Sequence, residues 1–443
     1  MIYDRQIAMK LYDQFNINKN NYTEPENYYN GKTKAQRNYP DSENRSNRKF
    51  GSNHVKMFID EEVSYMTGNR LVYSSKSGNI QSVKDIETTI DNINACLDTE
   101  LATTLLIYSK AYEVYYLDEY KDFKIKVINP MQGIGYEDVE GKVQMFLYFY
   151  KKMLDDKTYI DLFDDKFIYH FDSSFNTVAP PQPHYFQRCP VGVATLNNGI
   201  LDTVYNQING LQDAYEYTLM DWENELGDTR LSYLLMSGCQ MTPEQMKIMK
   251  EMGIIQTESA DSKVNFLLKD IKPDFYKSNR DILEEEMYKV TQHLKNQIAI
   301  QSNSSGTMLA VRLNPLRIKL TTQYQCLKNC IRTRLQCLFT YLYQAENKMY
   351  DFKDIDVKFT LNLPNNDYEM AQIISLLSDK VSIKGMTEKL SWITNADKDF
   401  KDMLEEKKQV QENSAPPKLN FNDTSNITDN ADNVGDKNEK IKK

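Results

Sequence analysis

Two stretches of opposite charge contain the residue types in this sequence most suited to binding a charged partner. Residues 287–345 contain no Asp or Glu and carry eight Lys and Arg, whereas residues 189–229 contain no Lys or Arg and carry seven Asp and Glu. Like charges repel at short range, so such blocks are tolerated where opposite charge lies nearby. We expect the two blocks either to fold together within one chain or to meet between copies, head to tail.

The basic block is a candidate surface for phosphate groups or for an acidic partner, and the alternative is a solvated helix face. Its candidate residues are Arg312, Arg317, Lys319, Lys328, Arg332 and Arg334. In the acidic block, Asp213, Glu216 and Glu223 could form a surface that repels a polyanion, or could simply be solvated. The whole chain has a net charge of −9 and a pI near 5.3. This balance argues against an ordinary DNA-binding protein, but not against a protein that touches DNA without gripping it.

Residues suited to catalysis or metal binding are scattered. The sequence has no GxxxxGK[ST] loop, no HExxH motif and no CxxC pair, and its four His are far apart. Cys326, Cys330 and Cys337 fall on one side of a predicted helix, and buried small residues explain them better than metal ligands do. We expect no catalytic residue, metal or cofactor, and therefore no enzyme. A hydrolase is the weakest hypothesis because no nucleophile–base pair is recognisable.

Hydrophobic spacing predicts the helices that must position these residues. A short helix over 3–15 is followed by an extended arm over 16–54. Two long helices over about 198–226 and 279–299 flank a segment with short strands, and QSNSSG (301–306) separates the second from a third long helix, which Pro315 should start or kink. The third long helix covers about 315–347, and the remaining predicted helices cover 54–67, 80–108, 242–252, 367–378, 386–393 and 396–410.

Alternating residues predict strands over much of 112–170 and over 355–361, and the proline-rich segment 173–191 is expected to connect two units. Residues 411–443 are rich in Asn, Asp and Lys, which predicts a disordered tail. No run reaches the roughly 20 apolar residues that cross a bilayer. The N-terminus also lacks a signal-peptide core, so we expect a soluble protein made in a reducing cytoplasm.

Several segments occur in the order in which similar segments occur in one known family. They are YYNGKTKAQR (28–37), NHVKMFIDEEVSYMTGNRL (53–71), INPMQGIGYED (128–138), CPVG (189–192), LSYLLMSG (231–238), SNSSGTMLAVRLNPL (302–316) and LNLPNNDYEMAQIISLL (361–377). Together they resemble the portal proteins of tailed bacteriophages, of the SPP1-type family.

The resemblance implies an α+β fold, mainly α, with an α/β wing, a two-helix stem, a small α/β clip, a long kinked wing helix and a helical crown. The implied parts are an N-terminal arm and wing (1–190), stem helices (191–228 and 279–300), a clip (229–278), a tunnel loop (301–310), the long wing helix and a strand (311–364), the crown (365–410) and the tail (411–443).

The resemblance also implies a function. It is a head–tail connector: a dodecameric ring at the capsid portal vertex of the virion, assembled in the host cytoplasm, through which double-stranded DNA is packaged and ejected. Expected partners are further copies of the chain, DNA, terminase, a head-completion or neck adaptor, and the major capsid and scaffolding proteins, with no membrane. The alternative is a regulatory protein that binds nucleic acid non-specifically through helix 312–334.

In this interpretation the acidic helix lines the stem and a short uncharged loop touches the DNA. The loop residues are Gln301, Ser302, Asn303, Ser304, Ser305 and Gly306. A loop without charge would make weak contacts with phosphates and let the duplex slide.

Overall fold

The computed structural model describes residues 4–41, 46–229, 233–237, 242–245, 247, 263–267, 273–295, 306–359, 375–376 and 403–407. The chain divides into two compact units, Met1–Pro364 and Asn365–Lys443. In the second unit the described positions, 375–376 and 403–407, are helical. The predicted crown and tail otherwise lie outside the described residues.

Residues 243–245 and 247 are helical, and eight α-helices with defined bounds occur in the described part of the first unit. They are α1 (Arg5–Tyr29), α2 (Lys34–Asn38), α3 (His54–Thr67), α4 (Ile80–Asp91), α5 (Leu97–Tyr108), α6 (Val204–Thr229), α7 (Pro273–Thr291) and α8 (Gly306–Glu346). Helix α3 begins and ends at the predicted residues, because its apolar positions are clear and Gly68 follows directly. The predicted helix over 80–108 is divided into α4 and α5.

The strands of the described residues form four antiparallel sheets. They are β1 (Val72–Ser75), β2 (Lys110–Leu117), β3 (Phe123–Ile128), β4 (Gly133–Glu137), β5 (Val143–Lys151), β6 (Thr158–Phe163), β7 (Phe167–Asp172), β8 (Thr177–Pro183), β9 (Val191–Thr195), β10 (Tyr233–Ser237), β11 (Lys263–Leu267) and β12 (Ile355–Lys358). The sheet orders are β1-β12, β10-β11, β3-β2-β9 and β4-β5-β6-β7-β8. The fold is therefore mixed α and β. In sequence, the long helix α1 precedes strands β2–β9, and the long helix α6 follows them.

Helix α1 corrects the prediction of an extended arm over 16–54. The helix continues to Tyr29 and contains Pro25. Its second half is polar and shows no apolar period, but Tyr22 packs on the core and Tyr28 is fully buried in it. Tertiary packing outweighs weak local propensity here. Its first half uses Ala8, Leu11 and Phe15 to cover one face of the five-stranded sheet.

Two proline-containing segments decide or correct predictions. Helix α8 begins at Gly306, so Pro315 does not start the helix but lies inside it, where its ring removes one backbone hydrogen bond. The segment predicted as a connector forms β8, which carries Pro180, Pro181 and Pro183 at the edge of the five-stranded sheet. An edge strand tolerates proline because one side of its backbone has no ladder partner.

Helix α8 packs very closely on β9. A Cβ added to Gly192 in β9 would stand 2.4 Å from the Tyr115 Oη, 2.8 Å from the Cys330 Sγ and 3.1 Å from the Cys330 carbonyl oxygen. Ordinary carbon contacts are about 3.5–4.0 Å. The absent side chain at Gly192 therefore sets the distance between this strand and the buried face of α8.

We predict that Gly192→Ala destabilises the chain by about 1–3 kcal/mol, because the methyl group overpacks this contact. Gly210→Ala is the control, since a Cβ at this helical position meets nothing within 4 Å. It should stabilise by about 0.5–1 kcal/mol. Urea denaturation at one protein concentration measures both, and similar effects of the two substitutions would contradict the close contact.

Candidate functional site

Helices α6 and α7 lie side by side and run in opposite directions. Tyr276 donates a hydrogen bond to Glu225 (2.6 Å), and Asn279 donates one to Thr218 (3.0 Å). Later residues of α7 thus meet earlier residues of α6. The antiparallel strands β10 and β11 come between the two helices in sequence. The long helices predicted on either side of the short-strand segment therefore form one antiparallel pair.

The carboxylates in the middle of α6 face the chain's own N-terminal segment. Tyr28 Oη donates to both oxygens of Asp213, at 2.8 and 2.7 Å, and the backbone N–H of Ala35 donates to Asp213 at 3.1 Å. Glu216 accepts hydrogen bonds from the Thr33 hydroxyl and from the Ser52 backbone N–H, the latter at 3.1 Å. Uncharged donors, not cations, satisfy these two acids.

The same arrangement continues along α6. Tyr39 Oη donates to Asp221 (2.9 Å), and the Ser46 N–H donates to Asp228 (2.8 Å). Arg48 reaches Glu223 at 3.3 Å, with both side chains largely exposed. We call residues 28–41 and 46–52 the wrapping segment, because they follow α6 through these contacts.

The wrapping segment corrects part of the predicted stem lining. Glu216 has no exposed surface, so it cannot form the wall of a channel. Asp213 is half-buried and engaged by two donors, while Glu223 remains on the surface. The prediction missed this because the donors lie more than 160 residues away in sequence, as for Ser52 and Glu216.

Half of the predicted basic surface is neutralised inside the chain. Arg334 is completely buried and pairs with Glu113 (2.5 Å) and Asp98 (2.8 Å). Lys319 pairs with Glu62 at 2.6 Å, and Lys328 pairs with Asp356 at 3.0 Å. These three cations are therefore not available to phosphates, which corrects the prediction for Arg334 most clearly.

The other predicted basic residues, Arg312, Arg317 and Arg332, are exposed on α8. The ion pairs shown for the basic block, including that of Lys295 with Glu284, reach carboxylates outside residues 189–229. The single-chain alternative expected ion pairs between the two charge blocks. These ion pairs do not join them. The paired members of each block are therefore matched by other segments of the chain.

The remaining predictions concern the loop and the cysteines. Gln301, Ser302, Asn303, Ser304 and Ser305 lie outside the described residues, and Gly306 is the first residue of α8. Cys326, Cys330 and Cys337 are buried and free, as the prediction of a buried face requires. Burial raises the pKa of Cys337 to about 12, so its thiol stays protonated at neutral pH.

Within the described ranges, no three or more His, Cys, Asp or Glu side chains are grouped so that they could hold a metal ion. No helix in that part of the chain is long and apolar enough to cross a membrane.

A sequence signal for these buried ion pairs is a charged residue on the apolar stripe of a helix, and the predictions above did not include it. Glu62 falls among the apolar positions of α3, between Ile59 and Val63, and is completely buried. Arg334 stands among the apolar positions of α8 in the same way, beside Leu335. A charged residue on such a stripe predicts a buried partner of opposite charge.

Comparison with known proteins finds a family and several similar structures. The family model for "Phage portal protein, SPP1 Gp6-like" matches residues 9–413. The portal protein of Clostridium phage phiCD119 is 23% identical over 402 residues, covering 82% of this chain and 86% of that protein.

Solved structures with a similar backbone come from gene transfer agent particles. A chain from the neck of the empty particle has a TM-score of 0.47 and 10% identity, covering 78% of this chain and 88% of that one. A chain from the native virion has a TM-score of 0.45 and 12% identity, with 74% and 87% covered.

We predict that Arg334→Met destabilises the chain by about 3–5 kcal/mol, because it leaves the buried Glu113 without its cation. The neighbouring Arg332→Met removes an exposed charge and should change stability by less than about 0.5 kcal/mol. Thermal melting of the two variants measures the contrast. If Arg334→Met does not fold, Glu113→Gln/Arg334→Met should restore much of the loss; equal melting of the two single variants would contradict the buried pair.

Proposed function

The chain belongs to the SPP1 Gp6-like family of phage portal proteins, and we propose that copies of it form the DNA-conducting ring of a virion. The match over residues 9–413 carries this proposal. We further propose a ring of twelve copies at the capsid vertex, assembled in the host cytoplasm. Double-stranded DNA would pass through it during packaging and ejection, while terminase, a head-completion or neck adaptor, and capsid and scaffolding proteins would dock on its outside.

The described elements support a division into the parts of such a ring. We assign the N-terminal elements through β9 to the arm and wing, the α6–α7 pair to the stem, and strands β10 and β11 to the clip. Helix α8 is assigned to the long wing helix, with Pro315 inside it. The crown and tail are proposed for residues 365–410 and 411–443.

An exposed apolar stripe on α7 supports contact between copies. Phe275, Ile282 and Val290 are 67%, 58% and 43% exposed, and they recur at spacings of seven and eight residues. Two turns of a helix take about seven residues, so these side chains share one side of α7. Exposed apolar side chains aligned in this way mark contact surfaces. We propose that the stem of a neighbouring copy covers this stripe.

Electrostatics fit a channel that lets DNA slide. The chain carries a net charge of −9, and three of the six predicted phosphate-binding residues are paired internally. Arg312, Arg317 and Arg332 remain to pair with a neighbour's acids or to steady DNA. The part of the proposed tunnel loop that is expected to touch DNA, residues 301–306, has no charged residue. The same pairing weakens the alternative of a regulatory protein that binds nucleic acid through helix 312–334.

The purified chain is expected to form rings with a central hole wide enough for duplex DNA, visible by negative-stain microscopy. Ile282→Asp should weaken or abolish them, because a buried carboxylate would lack a partner in the interface. Met349→Asp is the control, since Met349 is 79% exposed and lies outside α7. A monomer at every protein concentration would refute the ring, whereas intact Ile282→Asp rings would refute only the proposed surface.

Replacing Ser304 and Ser305 with Lys should slow or stall packaging. Each phosphate neutralised by a Lys steepens the salt dependence of binding by about 0.9 in the logarithmic slope. Replacing both residues with Gln adds bulk without charge and serves as the control. The measurement is the amount of DNA packaged per particle at two salt concentrations. Unchanged packaging by the Lys variant would remove the argument for an uncharged sliding surface.

A further inference from the structure

One ionic centre joins the end of α7 to three other helices. Lys319 Nζ on α8 lies 2.6 Å from Glu62 Oε1 on α3 and donates hydrogen bonds to the Thr291 carbonyl oxygen (3.2 Å) and Gln207 Oε1 (3.4 Å). The Lys319 side chain is 12% exposed and that of Glu62 is fully buried. Few waters can compete in such a place, so the contacts are stronger than those of a surface pair.

Glu62 is held by α8 through both of its oxygens. Its second oxygen, Oε2, accepts a hydrogen bond from Gln323 Nε2 at 2.8 Å. Residues 319 and 323 are four apart and therefore adjacent on one face of the helix. The carboxylate thus fixes the rotation of α8 relative to α3 as well as the distance between them.

The contact of Lys319 with Thr291 is a cap on the C-terminus of α7. Thr291 is the last residue of that helix, and the last four carbonyl groups of a helix lack partners within it. A cation at this end also interacts favourably with the helix dipole. Beyond it, Gln292 has φ of +65°, and the His293 N–H donates to the Tyr288 carbonyl oxygen at 3.0 Å. The chain turns away from α7 at the capped residue.

His293 completes the surroundings of the cap without supplying its charge. Its ring centroid lies 4.5 Å from that of Phe58, and its Nε2 lies 3.7 Å from Glu62 Oε1 and 3.9 Å from Glu61 Oε2. Burial lowers the pKa of His293 to about 4, so the imidazole is neutral at pH 7. Lys319 therefore provides the positive charge that faces Glu62.

We propose that Lys319 is a positioning residue that fixes where the chain leaves α7 relative to where it continues in α8. The two helices bound the segment 292–305, which includes most of the proposed tunnel loop, so the centre sets the base from which that loop is presented to DNA. This inference rests on the proposed function for its consequence in packaging. The capping itself is independent of that function.

Simple loss of stability must be separated from loss of the cap. Lys319→Met leaves Glu62 buried and unpaired, which destabilises the whole fold. Glu62→Gln/Lys319→Met removes that unpaired charge but still lacks an ammonium group on the Thr291 carbonyl. Lys319→Arg keeps a cation there. Lys328→Met is the matched control, because Lys328 belongs to the same helix and pairs with Asp356 instead.

Hydrogen exchange of the full-length chain, in the assembly it forms, tests the cap. In Glu62→Gln/Lys319→Met, the amides of Gln292 and His293 should exchange about tenfold faster than in the unsubstituted chain, because an end charge stabilises the last turn. Lys328→Met should leave the exchange of these amides unchanged. The single substitution Lys319→Arg should retain most of their protection, because a cation remains at the Thr291 carbonyl. Unchanged exchange in the double variant would overturn the capping role.

Packaging by the same variants tests the consequence. Rings of Glu62→Gln/Lys319→Met should form normally but package less DNA. Rings of the single variant Lys319→Arg should package nearly as much DNA as the unsubstituted chain. Faster exchange with normal packaging would overturn the positioning role. Absence of rings in the unsubstituted chain would instead refute the proposed function, while the exchange experiment would still decide the cap.

Discussion

The need to neutralise the fully or largely buried cations of one helix determines the arrangement of much of the first unit. Helix α8 presents Lys319, Lys328 and Arg334, and their carboxylates come from α3, β12, β2 and α5. An unpaired charge in the interior costs several kcal/mol, so α3, β2 and α5 must reach Lys319 and Arg334 together. The pair of Lys328 with Asp356 is partly exposed and adds β12 to the same helix. The apolar core then fills the spaces between the ion pairs, with Leu327, Ile331 and Leu338 among its members.

The acidic helix meets the same requirement by a different chemistry. The carboxylates of α6 accept hydrogen bonds from tyrosine hydroxyls and backbone N–H groups of the wrapping segment. Such bonds to a charged acceptor are stronger than bonds between neutral groups, and they also specify direction. They tie the described part of the wrapping segment to α6. The negative charge of the helix is thereby held in place, with Arg48 the cation that reaches Glu223.

The sequence allowed prediction of elements whose apolar spacing is regular and of little that depends on distant partners. Helix α3 and the core of α6 were predicted because their periodicity is local. The part of α1 after residue 15 and strand β8 were not, since packing on the core and an edge position decide them. Among the site residues, Arg334 and Glu216 were assigned to surfaces because their partners, Glu113 and the Thr33–Ser52 region, lie far away in sequence. Charge within an apolar stripe reveals that a partner exists, but only the fold identifies it.

Strand β8 limits the ways in which copies of the chain can join. Three of its seven residues are proline, and proline has no N–H to donate. A foreign strand laid along this border would find too few donors to form a continuous ladder, so the five-stranded sheet resists being lengthened on that side. Growth into an open-ended fibre by that route is disfavoured. Association of copies must therefore use surfaces other than this edge.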